Sequence, residues 1–248
     1  MFTDIDLDDH FQLCLYECND HLLSPGRSTM TRTLRATAVS LAAILAATLG
    51  LTQPAWAASY SASLTTAVAD LPVATEVRTG YSRDLFRHWV DADGDGCHTR
   101  NEVLIAEATT KPSISGTCTL SGGRWYSYYD DAYWTLTSDL DIDHMVALAE
   151  AWDSGARNWT SSRRQAFAND LGDSRALVAV TDNVNQAKGD QDPATWMPPY
   201  PSARCRYINE WVAMKIRWRL TVDSAEKSAL TAWADNCPDV TISVTYAY

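Results

Sequence analysis

The chain is short of positive charge: 20 lysines and arginines stand against 31 aspartates and glutamates, for a formal net charge of −11. A protein that coats or packages nucleic acid needs a strongly basic surface overall, so that class is disfavoured. An enzyme that binds, cuts and releases a polyphosphate needs only a local basic track. One such stretch exists, since Arg157 to Leu220 holds ten Lys or Arg against six Asp or Glu. Long apolar runs are equally scarce. Ala36 to Leu51 is short for a membrane span and no second run follows it, which favours secretion over anchoring. No Cys-x-x-Cys pair occurs after residue 57, so the cysteine spacing does not resemble a zinc site. Internal repeats and low-complexity tails are also absent.

What is present begins with a leader. Arg32 and Arg35 precede the apolar run, and Ala55-Trp56-Ala57 follows it as a small-x-small cleavage site, so residues 30–57 read as a signal peptide. Residues 1–29 carry Asp4, Asp6, Asp8 and Asp9 with no Lys or Arg before Arg27, and read as a mis-started extension. The expected mature protein is 58–248: one secreted domain, a monomer, with no stable membrane association once the signal is removed. Nine of the ten tryptophans remain in it to build a core. So do Cys97, Cys118, Cys205 and Cys237, while Cys14 and Cys18 fall in the discarded segment. An even count in an exported chain indicates two disulfides, and proximity favours Cys97 with Cys118 and Cys205 with Cys237.

Along the mature chain, 58–72 reads as a lead-in and Thr75 to Trp89 as a first helix. A Gly- and Asp-rich loop follows, then a helix over 102–109, a hairpin or turn region over 111–123 and strands in the aromatic stretch 124–136. The Asp141 to His144 strand leads into a short helix with Val146, Leu148, Ala151 and Trp152 on one face. Ser161 or Ser162 caps the next helix, with Gln165 completing a capping box and Phe167 and Leu171 buried. Ala176 to Val180 is a strand, and Asn183 to Asp190 opens a helix that Pro193 stops. Ile208, Trp211, Val212 and Trp218 share a helical face, and Asp223 with Glu226 caps a last helix.

The chemistry concentrates in Asp141-Ile142-Asp143-His144 and Asn183-Val184-Asn185-Gln186-Ala187-Lys188-Gly189-Asp190. Strand, helix and loop, strand, then an Asn-rich turn into a helix is a ββα order able to wrap a metal. A hard cation takes oxygen ligands, which Asp143 and the Asn185 amide offer, while a neutral His144 can deprotonate water. Lys188, one turn beyond Asn185, is placed to touch a phosphate oxygen. An isolated Asp-His pair is by default structural; the downstream Asn-x-Asn-x-x-Lys-Gly-Asp run tips the reading toward catalysis.

Asp143 to Trp152, together with Phe167 to Leu171, Ala179-Val180, Asn185 to Asp190 and Pro193, resembles a secreted actinobacterial HNH-endonuclease family. That family is related to the C-terminal nuclease domain of GmrSD-type restriction enzymes. The likeness spans about 81–237. It implies an α+β fold with a ββα-metal (HNH, or His-Me finger) core embedded in additional helices. It also implies a phosphodiester hydrolase with His144 as general base and Asn185 on the metal side. The third HNH position is not a histidine here, which points to Mg²⁺ or Mn²⁺ rather than a zinc or nickel cage.

Asp91-Ala92-Asp93-Gly94-Asp95-Gly96, ending at Glu102, also fits the EF-hand loop pattern, so Asp91, Asp93, Asp95 and Glu102 are candidate calcium ligands. The plain alternative is an Asp-rich turn that caps the following helix. Arg100 is either a salt-bridge partner of that turn or, on the resemblance, a phosphate ligand swung toward His144. The expected function is metal-dependent endonucleolytic hydrolysis of DNA, with RNA as a further candidate substrate, at low sequence specificity. The alternative is a calcium-binding extracellular or cell-envelope module without catalysis.

Overall fold

The computed structural model describes residues 58–248. The extension over 1–29, the signal over 30–57, Cys14 and Cys18 lie outside the described residues. Within them the chain starts as β1 (Ser59–Ser63) and α1 (Leu64–Asp70), where Ser63 accepts the Thr66 N–H as N-cap. α2 (Thr99–Glu107) follows the Asp-rich loop and is capped by His98. Two hairpins come next, β2 (Ser113–Ser115) with β3 (Thr119–Ser121) and β4 (Trp125–Ser127) with β5 (Ala132–Trp134). β6 (Leu140–His144) leads through α3 (Leu148–Asp153) and α4 (Ser161–Ala168) to β7 (Leu177–Thr181), and α5 (Asp182–Lys188) begins at once. α6 (Arg204–Trp218), α7 (Ser224–Ala234) and β8 (Thr241–Thr245) complete the order.

Among the described residues the strands form four two-stranded antiparallel ribbons rather than one sheet, and two of them close long loops: β1 with β8 and β6 with β7. In β8 the period-two pattern is direct, with Ile242 and Val244 buried between exposed Thr241, Ser243 and Thr245. β7 is buried at every position, as a strand covered on both faces must be. α6 is the central post. Its Tyr207, Ile208, Trp211, Val212 and Trp218 are buried, and Trp211, Trp218, Trp125 and Tyr129 are among the largest buried side chains. The result is a mixed α+β fold with the disulfides Cys97–Cys118 and Cys205–Cys237, as proximity indicated. Closing loops of this length contributes on the order of 3 kcal/mol each.

Several local expectations change. Thr75 to Trp89 is not a helix; only Arg83–Leu85 makes a 3-10 turn. Its backbone is drawn into other pairings, since the Thr79 carbonyl accepts the Trp152 indole N–H and the Leu85 and Arg87 carbonyls accept from the side chains of Arg164 and Asn169. Its apolar residues serve separate contacts, with Phe86 edge-on to both Trp152 and Phe167. Gly80 turns the chain at φ +81, against the ring of Trp152. The lead-in over 58–72 is in fact β1 and α1, whose partner β8 lies at the far end of the described chain. Thr160, not Ser161 or Ser162, caps α4 by accepting the Arg163 N–H, and Leu171 is exposed. Asp223 caps α7 through the Glu226 N–H, as expected.

The outer edge of β7 is met by α2: the Ala179 N–H donates to Glu107 Oε2 at 2.7 Å. Burial pushes the Glu107 carboxyl up to about 7 from 4.5, against that hydrogen bond. The folded state therefore keeps a proton that the unfolded chain releases above pH 4.5. The associated stability is present below that pH and lost as pH rises through 7. Glu107→Gln keeps an acceptor for Ala179 and is expected to flatten this fall, on the order of 2 kcal/mol between pH 4.5 and 8. Denaturant melts at a series of pH values check it, and an unchanged slope overturns it.

Candidate active site

β6 sends alternate side chains to opposite faces. Asp143 points at Tyr129 and Lys188, and all three are buried. The Tyr129 hydroxyl donates to Oδ2 at 2.6 Å, while Lys188 Nζ donates to Oδ1 at 2.7 Å and to the His144 carbonyl at 3.0 Å. Burial raises the Asp143 carboxyl and Lys188 pulls it back. Burial, with Asp143 beside it, holds the Tyr129 hydroxyl well above its ordinary range, so it stays a donor.

His144 points the other way. Its Nε2 lies 3.0 Å from the Ala168 carbonyl. Its ring sits 5.5 Å from that of Trp89 at 27°, and 6.4 Å from that of Phe167 at 17°, both stacked arrangements. Donating Nε2–H to the carbonyl leaves Nδ1 as the acceptor. Burial pushes the imidazole down to about 3, against the Ala168 bond and with Arg83 and His88 acting the same way as burial. The ring is thus neutral at physiological pH.

α5 supplies the opposite wall. It starts directly after β7, and Gly189, at φ +56 and ψ −124, ends it one turn after Asn185, whose carbonyl accepts the Gly189 N–H. Lys188 is then the last helical residue and turns inward, while Asn185 stays at the surface and gives its amide N–H to Asp141 Oδ2 at 3.2 Å. Tyr81, Arg83, Asp143, His144, Asn185 and Asp190 all line one cleft of about 220 Å³. A larger hollow of about 480 Å³ beside Asn169 and Trp218 offers no comparable base, and its Asp170 is tied to Arg217 and the Trp218 indole.

The fold thus brings His144, Asp143 and Asn185 to one cleft, and leaves two expected phosphate contacts elsewhere. Lys188 is fully buried against Asp143, and Arg100 Nη2 donates to the Thr137 and Leu140 carbonyls at 2.9 Å each. The basic stretch over 157–220 is not a free track either. Lys215 pairs with Glu150 and Glu226, Arg217 with Asp170, Arg206 with Glu210 and Arg175 with Asp173. Arg164 is spent on the Leu85, Ala156 and Trp159 carbonyls. Arg83, Trp89 and Tyr129 carried no sequence signal, because each is contributed by a segment distant from the motif.

The donor chemistry of the cleft suits a hard divalent ion. It offers carboxylate and amide oxygen with one imidazole and no sulfur, as an ion that keeps several of its own waters needs. Among the described residues no three His, Cys, Asp or Glu ligand atoms converge at His144, so a closed zinc cage does not fit. Asp91, Asp93 and Asp95 do converge, on the exposed loop before α2. They accept N–H groups of that same loop, at Gly94, Gly96, Asp95 and Cys97, and Glu102 faces them closely enough for its carboxyl to be raised, by burial first and then by their charges.

Residues 99–233, more than half of the chain, match the family described as GmrSD restriction endonucleases, C-terminal domain. The chain belongs to that family. A relative named "Uncharacterized secreted protein" from Arthroderma benhamiae is 52% identical over 158 residues, covering 64% of this chain and 76% of its own length. No solved structure matches. The matched span of the GmrSD C-terminal domain starts at the first residue of α2 and ends within α7, so it includes β6, β7 and α5 and leaves out β1, α1 and β8. No helix among the described residues is long and apolar enough to cross a membrane.

Proposed function

We propose that this protein is a secreted, metal-dependent endonuclease of the HNH type that hydrolyses phosphodiester bonds in DNA, and in RNA, with little sequence preference. One observation carries the reading: a neutral His144, fixed by the Ala168 carbonyl and the Trp89 and Phe167 rings, lines the same cleft as Asn185. Membership of an endonuclease domain family and a relative named as secreted support it.

In this reading β6, β7 and α5 are the ββα core. Asn185 and Asp143 hold Mg²⁺ or Mn²⁺, which when bound supplies positive charge to the scissile phosphate and the leaving oxygen. His144 Nδ1 takes the proton of the attacking water, and Nε2–H on the Ala168 carbonyl keeps that tautomer. Lys188 and Tyr129 keep Asp143 charged and oriented. Arg83, exposed at the cleft and without an ion-pair partner among the described residues, takes the phosphate role that sequence alone assigned to Lys188 and Arg100.

Nicking of supercoiled plasmid in Mg²⁺, Mn²⁺, Ca²⁺ or EDTA tests the proposal. Cleavage in Mg²⁺ or Mn²⁺ that EDTA stops is the expected result. Calcium binding that Asp93→Asn with Asp95→Asn removes, without cleavage in any metal, instead supports the second reading, a calcium-binding module centred on the converging Asp91, Asp93 and Asp95. Arg83→Ala is expected to raise KM about tenfold with kcat little changed, and to reduce the salt slope of DNA binding by about one. An unchanged KM and slope sinks the phosphate role for Arg83.

A further inference from the structure

Away from the cleft, four carboxyl side chains gather around a fifth, Glu76. Glu150 and Asp153, three residues apart on α3 and both buried, group with Glu76 so that one oxygen of each lies within 4.8 Å of the others. Asp192 and Glu226 form a second group with the same Glu76. Two cations answer them. Lys215 Nζ is 2.5 Å from Glu150 Oε1 and 3.0 Å from Glu226 Oε2, and Arg78 binds Asp153 Oδ2 at 2.6 Å while also pairing with Asp190. Five carboxyls against two cations leave negative charge in excess, which the protein answers only in part, burial raising the Glu76 and Glu226 carboxyls to about 7 each.

The excess has an address. Asp153 Oδ1, on a side chain only 3 % exposed, is buried with no hydrogen-bond partner among the described residues, and so is Glu76 Oε1. A buried acceptor left unsatisfied costs about 1–3 kcal/mol, and more when charged, so two in one cluster require a compensating group. Neither Lys215, already held by Glu150, Ser154, Thr221 and Glu226, nor Arg78 reaches them.

We propose that Glu76, Glu150 and Asp153 form a divalent-cation site, distinct from the His144 cleft, that takes calcium. The ligand atoms are all carboxylate oxygen, with no nitrogen or sulfur, which is the donor set of a hard ion. Oxygen separations below 4.8 Å also suit coordination at about 2.3–2.6 Å. A bound ion ties the extended segment around Glu76 to α3, the helix that follows β6 and its histidine. The role is structural and does not depend on nuclease activity.

The test uses the full mature chain carrying Asp93→Asn and Asp95→Asn, which silence the exposed loop. Calorimetric titration with Ca²⁺ is combined with melting in EDTA and in Ca²⁺. The parent is expected to bind calcium and to melt on the order of 5 °C higher in Ca²⁺ than in EDTA. Adding Glu76→Gln, at a partly exposed position outside regular structure, is expected to weaken binding more than tenfold and abolish the rise. Its melting temperature in EDTA should not fall, because the substitution removes a repelling charge. Asp153→Asn should likewise lose the calcium response. The proposal is overturned if the loop-silenced parent melts identically in Ca²⁺ and EDTA, or if Glu76→Gln leaves calcium affinity within twofold.

Discussion

His144→Ala is expected to slow plasmid cleavage about 10³-fold while the protein remains folded. General-base assistance contributes on the order of 10²–10⁴ in rate, and among the described residues no other histidine lines the cleft. The substitution leaves a gap between Trp89 and Phe167 and frees the Ala168 carbonyl, which costs stability of about 1–3 kcal/mol but removes no buried charge pair. Circular dichroism melts separate the two effects: a folded, inactive variant is the expected outcome. Cleavage at the wild-type rate by purified His144→Ala sinks the endonuclease assignment as drawn.

The second large effect falls on stability. Lys188→Met is expected to destabilise the protein by about 3–5 kcal/mol, lowering the melting temperature on the order of 10 °C. Lys188 is fully buried, and among the described residues its ammonium is the one cation bonded to Asp143, which is 4 % exposed. In the metal-free protein, with EDTA present, removing it strands the Asp143 carboxylate with the Tyr129 hydroxyl as its remaining side-chain donor among the described residues. Adding Asp143→Asn removes that stranded charge and is expected to restore much of the loss, a coupling that a double-mutant cycle measures. The outcome also discriminates between two roles for Lys188. A phosphate contact predicts a raised KM with an unchanged melting temperature; a core ion pair predicts the reverse order of effects.

Lys188 illustrates how much of the site was legible in the sequence. The run Asn185 to Asp190 stands out because its polar composition after an apolar strand is unusual for a core, and Asn185, Gln186, Gly189 and Asp190 do line the cleft of His144. Its spacing put Asn185 and Lys188 one turn apart, which is correct for α5. Spacing does not say which way the last residue of a helix turns, and here Gly189 ends the helix so that the lysine faces inward. Arg100 was misplaced for the same reason: its neighbours in sequence are the Asp-rich loop, but its partners are carbonyls 37 and 40 residues away. The excess of basic residues over 157–220 was a true count and a poor map, because most of those side chains are spent inside the fold.

The sequence by itself determined what depends on neighbours in the chain. The strand with Asp143 and His144 on opposite sides, the α5 register, the hairpin between residues 111 and 123, the cap of α7 and the disulfide pairs all follow from local pattern or proximity. Tertiary structure alone decided which groups oppose one another across long separations. It closed β1 on β8, set Trp89 and Phe167 against His144, gave Tyr129 and Lys188 to Asp143, and gathered Glu76 with Glu150 and Asp153. Those contacts are chosen by the burial of apolar faces and by the need to pair every buried charge. Both are properties of the whole packed core and of no single segment.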